Sequence, residues 1–247
     1  MFRLETYMAS CSARDAIRRR TLENLAATDW KGSVTVEFDN PTVSAPLERH
    51  GELVRRILRR AASNNAEMML FLEDDLDFNL HFMHNLRTWP PLQQFSREQH
   101  FFASLCNLGI PFPKSLPELA YREADPQLAF GSQALLISRT TARYMVTCWG
   151  VEPGPHADIK LLRLAARVGP LIYYLPSLVQ HVGVPSLWGG PFRDAPDFDK
   201  NWKSALEFAP NQVQRHVLQT KCDRHEDLIG RVAAPSSRTS TRVWWQH

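Results

Sequence analysis

The pattern of apolar and polar positions predicts alternating strands and helices in the first third of the chain. β-branched and apolar runs predict strands over 3–10 and 34–38. Apolar residues recur at helical spacing over 14–27 and 47–62. The run 68–72 is wholly apolar, which is typical of a strand covered on both faces. This order of elements predicts an α/β fold with a mostly parallel central sheet flanked by helices.

The rest of the chain is less regular, although its elements can still be placed. We predict strands over 101–105, 135–137 and 171–174, and helices over 140–148 and 158–167. Neither an internal repeat nor a clear domain boundary is visible.

The composition is that of an ordinary globular protein, with 44% hydrophobic and 22% charged residues in a chain of 247. It excludes a mainly disordered, collagen-like or coiled-coil chain. No run approaches the roughly 20 apolar residues of a transmembrane segment, and the first residues lack the pattern of a secretory signal. We therefore expect a cytoplasmic protein whose four cysteines are free thiols.

Charge adds information only near the end of the chain. Lys and Arg number 29 against 26 Asp and Glu, and the net charge is +3. Segment 211–247 holds six basic and three acidic residues, so it carries the whole excess. We predict one catalytic domain over 1–210 and a basic, partly flexible extension over 211–247.

The arginines in 55–60 and 18–20 are expected on solvated helix surfaces, and no nucleic-acid partner is predicted.

Four carboxylates in five positions directly follow the apolar run 68–72: Glu73, Asp74, Asp75 and Asp77. In an open parallel sheet, ligands bind where the strands end. Clustered carboxylates raise each other's pKa unless a cation neutralises them, and Mg²⁺ or Mn²⁺ suits such oxygen ligands. The alternative is an acidic turn whose aspartates cap helices. The chain contains neither of the glycine-rich phosphate-binding motifs, G-x-x-x-x-G-K-[ST] and G-x-G-x-x-G. Their absence from the sequence favours a metal as the group that would hold a phosphate.

Glu73-Asp74-Asp75 resembles the DxD-type motif of GT-A-fold, nucleotide-sugar-dependent glycosyltransferases. The segment 174–183, with the sequence YLPSLVQHVG, is similar to the P-S-L-x-Q-H-x-G stretch of N-acetylglucosaminyltransferase IV-type branching enzymes and related bacterial transferases. The order and spacing of the motifs fit over residues 1–190. The resemblance implies a GT-A-like fold, with a Rossmann-like nucleotide-binding half and an acceptor-binding half.

The resemblance also implies a metal site. Asp75 would be the main protein ligand of Mn²⁺ or Mg²⁺, and His181 would approach the same ion. Glu73 or Asp74 would hold the ribose of the nucleotide or a metal-bound water. Taken alone, His181 would be better explained as an ordinary core or loop histidine, and its place inside segment 176–183 reverses that preference.

Two further positions follow from the same resemblance. Asp39, at the end of the predicted strand 34–38, resembles the acid that contacts the nucleobase, and Ser10 ends the first strand beside it. Asp39 can also be a turn former before Pro41. Independently of the resemblance, Gly131 precedes a predicted strand, where it would let the backbone approach the donor sugar or simply form a tight turn.

Transfer with inversion requires a general base that takes the proton of the acceptor hydroxyl. Asp158 is the first candidate, at the start of the predicted helix 158–167. The alternative is that Asp158 is only an N-cap or first-turn acid that complements the dipole of that helix. Glu152 is the second candidate and His156 a weaker one. The segment 188–192, with tryptophan and phenylalanine around two glycines, suits a loop that closes over the donor or a surface loop pinned by its aromatics.

Together these features predict a metal-dependent, inverting glycosyltransferase. It would move a sugar from a UDP-sugar to a hydroxyl of a glycan or other acceptor. UDP-N-acetylglucosamine is the first donor to test, on resemblance alone. A metal-dependent hydrolase or nuclease that uses the same acidic cluster is one alternative. A glycan-binding module that kept the fold without turnover is the other.

Overall fold

The computed structural model describes residues 2–43, 45–108, 120–129, 131–182 and 194–206. The predicted extension 211–247 and the predicted loop 188–192 lie outside these residues, so both stay predictions. Within the described ranges, no helix is both long enough and apolar enough to cross a membrane.

Within the described residues, seven strands form the central sheet: β1 (Leu4–Ser10), β2 (Val34–Phe38), β3 (Met68–Leu72), β5 (Phe102–Ser104), β6 (Tyr121–Ala124), β7 (Ala134–Ser138) and β8 (Leu171–Tyr174). Two short strands pair separately: β4 (Leu76–Phe78) and β9 (Val179–His181). The helices are α1 (Asp15–Ala26), α2 (Pro46–Ser63), α3 (Phe82–Thr88), α4 (Pro90–Gln93), α5 (Arg139–Cys148) and α6 (Ala157–Ala166).

The strand order in the central sheet is β2-β1-β3-β7-β5-β8-β6. Strands β1, β2, β3, β5 and β8 run in one direction, whereas β6 and β7 run against them. The prediction of an α/β fold with a mostly parallel central sheet is confirmed, and the arrangement is consistent with a GT-A-like fold.

Helices cover both faces of this sheet, which explains why β3 is apolar at every position. Leu70 packs into a core on one face, together with residues of α1 and α3. Phe71 packs into a second core on the other face, against residues of α2, α5 and α6. All five residues of β3 are buried as a result. The carboxylates that follow β3 therefore emerge from the centre of the molecule.

The predicted strands 34–38, 68–72 and 171–174 are found with those bounds. The apolar pattern does not predict β4, β6 or β9. These strands have only three or four residues each and mix apolar with polar side chains, so they show neither a period nor the wholly apolar run that marks the four-residue β8. The pairing of β4 with β9 matters most, because it shapes the candidate site.

Candidate active site

The acidic motif leaves β3 in a turn that is fixed from two sides. The Glu73 N–H donates to the Gln133 carbonyl at 2.9 Å, which ties the motif to the chain just before β7. The Thr21 hydroxyl on α1 donates to the Asp74 carbonyl at 2.7 Å. The same hydroxyl accepts from the Leu76 N–H at 3.0 Å. The turn is therefore held by hydrogen bonds to buried neighbours rather than by solvent.

The pairing of β4 with β9 brings His181 to this turn. The strands are antiparallel, and their register places His181 opposite Leu76, next to Asp75. The Val182 N–H then donates to the Asp75 carbonyl at 2.9 Å. As a result, His181 Nε2 lies 3.0 Å from Asp75 Oδ2. Two motifs more than 100 residues apart in the sequence thus form one site.

The other polar residues of the second motif anchor β9 in place. The Ser177 hydroxyl donates to Asp197 Oδ1 at 2.6 Å and accepts from the Asn107 N–H at 2.8 Å. The Gln180 side chain accepts from the Ala195 N–H at 2.8 Å and donates to the Ala195 carbonyl at 3.2 Å. Ser177 and Gln180 therefore fix the strand that presents His181.

Three side chains of the site could hold a metal ion. One ligand atom from each of Glu73, Asp75 and His181 lies within 4.8 Å of the other two. Within the described part of the chain, Asp75 Oδ1 is buried and has no hydrogen-bond partner. Two carboxylates and an imidazole match the preferences of Mn²⁺ and are acceptable to Mg²⁺. The donor set and the unsatisfied Asp75 oxygen therefore fit a divalent cation.

Arg14 also reaches the acidic motif, and the sequence analysis did not single it out. Its Nε donates to Asp74 Oδ1 at 2.7 Å, and its Nη2 forms an ion pair with Asp75 Oδ2. The Arg14 side chain is only 9% exposed. Nothing in the sequence marks it apart from its place just before α1 and the need of buried carboxylates for a cation.

The electrostatic environment distinguishes the three acids. Burial, assisted by the charge of Asp75, raises the pKa of Glu73 to about 7, although a hydrogen bond from Ser132 opposes this. Burial also raises the pKa of Asp74 and outweighs its contacts with Ser10 and Arg14. Burial acts in the same direction on Asp75, but His181 and Arg14 outweigh it and lower its pKa. Asp75 is therefore the acid most firmly held as a carboxylate.

The same pairing affects His181. Burial alone would lower the pKa of its imidazole, but the hydrogen bond and charge of Asp75 prevail and raise it. A metal would have to displace any proton on this ring, so metal binding and protonation compete at His181.

Ser10 and Asp39 lie side by side at the ends of β1 and β2. The Ser10 hydroxyl donates to Asp74 Oδ2 at 2.6 Å. The Asp39 N–H donates to the Ser10 carbonyl at 3.0 Å, and Asp39 Oδ2 lies 3.6 Å from Arg49 Nε. Ser10 thus orients an acid of the motif, and Asp39 stands at the outer end of the same edge.

The prediction of a solvated surface for the arginines in 18–20 is wrong for Arg18. Its side chain is 13% exposed and donates to the Ser10 hydroxyl at 3.2 Å. Its guanidinium lies 4.8 Å from the ring centre of Phe38, a side chain that is 45% exposed at the end of β2. Helical spacing shows which residues share a face of a helix, but it does not show what that face packs against. Here α1 places Arg18 against the ends of β1 and β2, where its side chain is covered.

Gly131 forms a tight turn with a positive φ of 85°. A Cβ atom at this position would lie 2.4 Å from Gln133 Oε1 and 2.8 Å from Leu108 Cδ1, so no other residue fits without rearrangement. The turn places Ser132, whose hydroxyl donates to Glu73 Oε1 at 2.6 Å. Gly131 thus supports the site through Ser132, and its approach to a donor sugar stays a prediction.

Asp158 is in the first turn of α6. The helix α6 leads into β8, and β8 runs in the same direction as β5 and β3. The helix returns the chain to the start of β8, so the first turn of α6 lies towards the edge of the sheet where β3 ends. The charge of Asp158 contributes to the raised pKa of Glu73, which places the two carboxylates within electrostatic reach. The residue before the helix is His156, so Asp158 is not the N-cap residue.

Glu152, the second candidate base, is engaged elsewhere. Its side chain is 3% exposed and forms ion pairs with Arg167 and, at 3.8 Å, with Arg163. Arg167 follows the last turn of α6, roughly 13 Å along the helix from Asp158. Glu152 is therefore paired with arginines at the C-terminal end of α6, away from Asp158 in its first turn.

Comparison with known proteins adds little to this geometry. No protein-family model matches the sequence, and no curated protein matches it. Among solved structures, the crystal structure of S. aureus TarS is similar with a TM-score of 0.49 and 10% sequence identity. The match covers 74% of this chain and 37% of TarS. A likeness this distant carries no information about activity, so the function must be argued from the site.

Proposed function

We propose that the chain is a metal-dependent glycosyltransferase, which moves a sugar from a UDP-sugar to a hydroxyl of a glycan or other acceptor with inversion. One observation carries this proposal: Glu73, Asp75 and His181 converge where β3 ends, and Asp75 there has a buried oxygen with no hydrogen-bond partner in the described residues. The resemblance of both motifs to GT-A-fold glycosyltransferases supports the same conclusion.

Asp75 and His181, with Glu73, would hold Mn²⁺ or Mg²⁺ at this edge. When bound, such an ion supplies charge neutralisation for a diphosphate and for its departing oxygen. The protein contributes the orientation of the ligands. The register of β4 and β9 fixes His181, and Ser132 fixes one oxygen of Glu73. Fixed ligands need little reorganisation during the reaction, which is how a preorganised site lowers a barrier.

The donor nucleotide would lie along the ends of β1 and β2. Asp39 would contact the nucleobase, with Ser10 beside it. Both carboxylate oxygens of Asp74 already accept hydrogen bonds, from Ser10 and Arg14. This favours Glu73 over Asp74 as the second acid of the metal site, where it would serve as a ligand rather than as the contact to the ribose. Asp74 would then act by holding Ser10 and Arg14 in place.

Asp158 would remove the proton of the attacking acceptor hydroxyl. Its place in the first turn of α6 and its electrostatic reach to Glu73 support this role. Glu152 is less suited, because its carboxylate is engaged by two arginines. Proton removal during attack makes the hydroxyl oxygen a better nucleophile and accounts for about 10²- to 10⁴-fold of a rate.

Calorimetry with UDP tests the proposal. The parent protein should bind UDP in the presence of Mn²⁺ and should lose this binding in EDTA. Asp75→Asn should not bind UDP under either condition, because a neutral amide replaces a charged ligand. Asp77→Asn is the matched control, since Asp77 forms an ion pair with Lys200 at 2.9 Å and is outside the ligand set.

The alternative functions give different results. Metal-dependent binding of an oligonucleotide in place of UDP would favour a nuclease. Binding of a glycan with no response to UDP or metal would favour a glycan-binding module. Unchanged UDP binding by a folded Asp75→Asn variant would contradict the proposed site.

A further inference from the structure

Arg14 lies at the centre of the site, yet the proposed reaction assigns it no role. It ends the short 3₁₀ turn Ser12–Arg14 that leads into α1. The side chain turns inward and forms ion pairs with Asp74 and Asp75. A buried arginine with two carboxylate partners is a substantial element of the structure, because breaking such a pair leaves an uncompensated charge.

The guanidinium bridges the two acids instead of gripping one of them. It uses Asp74 Oδ1 and Asp75 Oδ2, while Asp74 Oδ2 accepts from Ser10. Asp75 Oδ2 is therefore shared between Arg14 and His181, whose Nε2 is 3.0 Å away. A cation ligated by Asp75 and His181 would lie beside the guanidinium.

The positive charge of Arg14 has opposite effects on the fold and on metal binding. Without a metal, it compensates two adjacent buried carboxylates. With a metal, it repels the ion, and it holds Asp75 Oδ2, so that of the two carboxylate oxygens only the buried Oδ1, without a hydrogen-bond partner in the described residues, is open to the ion. A charge this close alters the affinity of a neighbouring group for a single proton by about one to three orders of magnitude. The affinity of the site for a divalent ion should change by at least as large a factor.

We propose that Arg14 is a built-in counter-ion of the acidic motif. It neutralises Asp74 and Asp75 when no metal is bound, and it releases Asp75 but keeps Asp74 when Mn²⁺ or Mg²⁺ binds. Arg14 is thus a positioning residue that lowers the metal affinity in return for a stable site. This inference rests on the proposed function, because it requires that the same carboxylates hold a divalent ion.

Titration of the full chain with Mn²⁺ in a calorimeter, without nucleotide, tests this role. Arg14→Gln should bind Mn²⁺ at least about tenfold more tightly than the parent, because the competing charge is gone. In EDTA, the same variant should unfold at a lower temperature than the parent. Arg14→Lys keeps the charge and should bind Mn²⁺ much like the parent.

Arg19→Gln is the matched control, since it removes one positive charge from α1, the helix that directly follows Arg14. Arg19 is 69% exposed and pairs with Asp15 at the surface, so its loss should change neither measurement. An unchanged or weaker Mn²⁺ affinity in Arg14→Gln would overturn the inference.

If that variant does not fold, Asp74→Asn is compared with Asp74→Asn/Arg14→Gln, which removes an acid and its partner together. The double variant should bind Mn²⁺ more tightly, and equal affinity would again overturn the inference.

The outcomes also separate this inference from the proposed function. Binding of Mn²⁺ by the parent with no effect of Arg14 would refute the counter-ion and leave the metal site standing. Binding by Arg14→Gln alone would contradict both metal use by the parent and the release of Asp75 by Arg14. Absence of binding in every variant would refute both.

Discussion

Replacement of Glu73 by Gln should stabilise the metal-free protein at alkaline pH. Burial and the neighbouring Asp75 raise the pKa of Glu73 from its ordinary value of 4.5 to about 7 in the folded protein. Between these values, the folded state keeps a proton on Glu73 that the unfolded chain has lost. Stability therefore falls as the pH rises through this window and is constant above it, as far as Glu73 is concerned.

The size of the effect follows from the same two values. A rise from 4.5 to about 7 corresponds to about 3 kcal/mol of stability lost above pH 7. Gln is neutral at every pH, and its amide oxygen can still accept the Ser132 hydrogen bond. Glu73→Gln should therefore match the parent near pH 4.5 and exceed its stability by about 2 to 3 kcal/mol at pH 8.

Urea unfolding in EDTA from pH 4.5 to 8.5 measures this difference. Asp77→Asn is the control, because Asp77 pairs with Lys200 at the surface and its loss should cost at most about 1 kcal/mol. A stability difference that does not grow with pH would refute the assigned environment of Glu73. So would a Glu73→Gln variant that is less stable than the parent at pH 8.

Three more predictions concern metal and turnover. His181→Ala should weaken Mn²⁺ binding by roughly 10- to 100-fold, if this ligand acts as a supporting one, and an unchanged titration would remove His181 from the site. Mn²⁺ affinity should fall as the pH drops below 7, because protons then occupy Glu73 and the His181 imidazole, and a flat profile between pH 6 and 8 would exclude both as ligands. Asp158→Asn should leave UDP and Mn²⁺ binding unchanged and lower the turnover by about 10²- to 10⁴-fold; a rate within a few-fold of the parent would direct the search to Glu152.

Much of the sheet could be predicted from the sequence, because its strands are long or wholly apolar. The wholly apolar run 68–72 predicts a strand that is buried on both faces, as the structure shows. The carboxylates that follow it could therefore be expected at the end of that strand. A parallel sheet also brings distant loops to one edge, which is why Asp158 could be expected near Glu73. These inferences need only periodicity and the general geometry of α/β folds.

The parts that could not be predicted depend on contacts between distant residues. The three-residue strands β4 and β9 have no recognisable period, yet their pairing sets the position of His181 beside Asp75. The acidic motif predicts a nearby cation, and the sequence pattern indicated only a metal in that role. A buried arginine satisfies the same electrostatic need, and only the structure shows that Arg14 lies there.

The central claim is metal-dependent transfer from a nucleotide sugar at the Glu73, Asp75 and His181 site. Its most direct test is the release of nucleotide from a panel of UDP- and GDP-sugars, with a glycan acceptor mixture and either Mn²⁺ or EDTA. We predict release of UDP from a UDP-sugar only with Mn²⁺, and its loss in Asp75→Asn but not in Asp77→Asn. Release that is equal in EDTA, or equal in a folded Asp75→Asn variant, would contradict the claim.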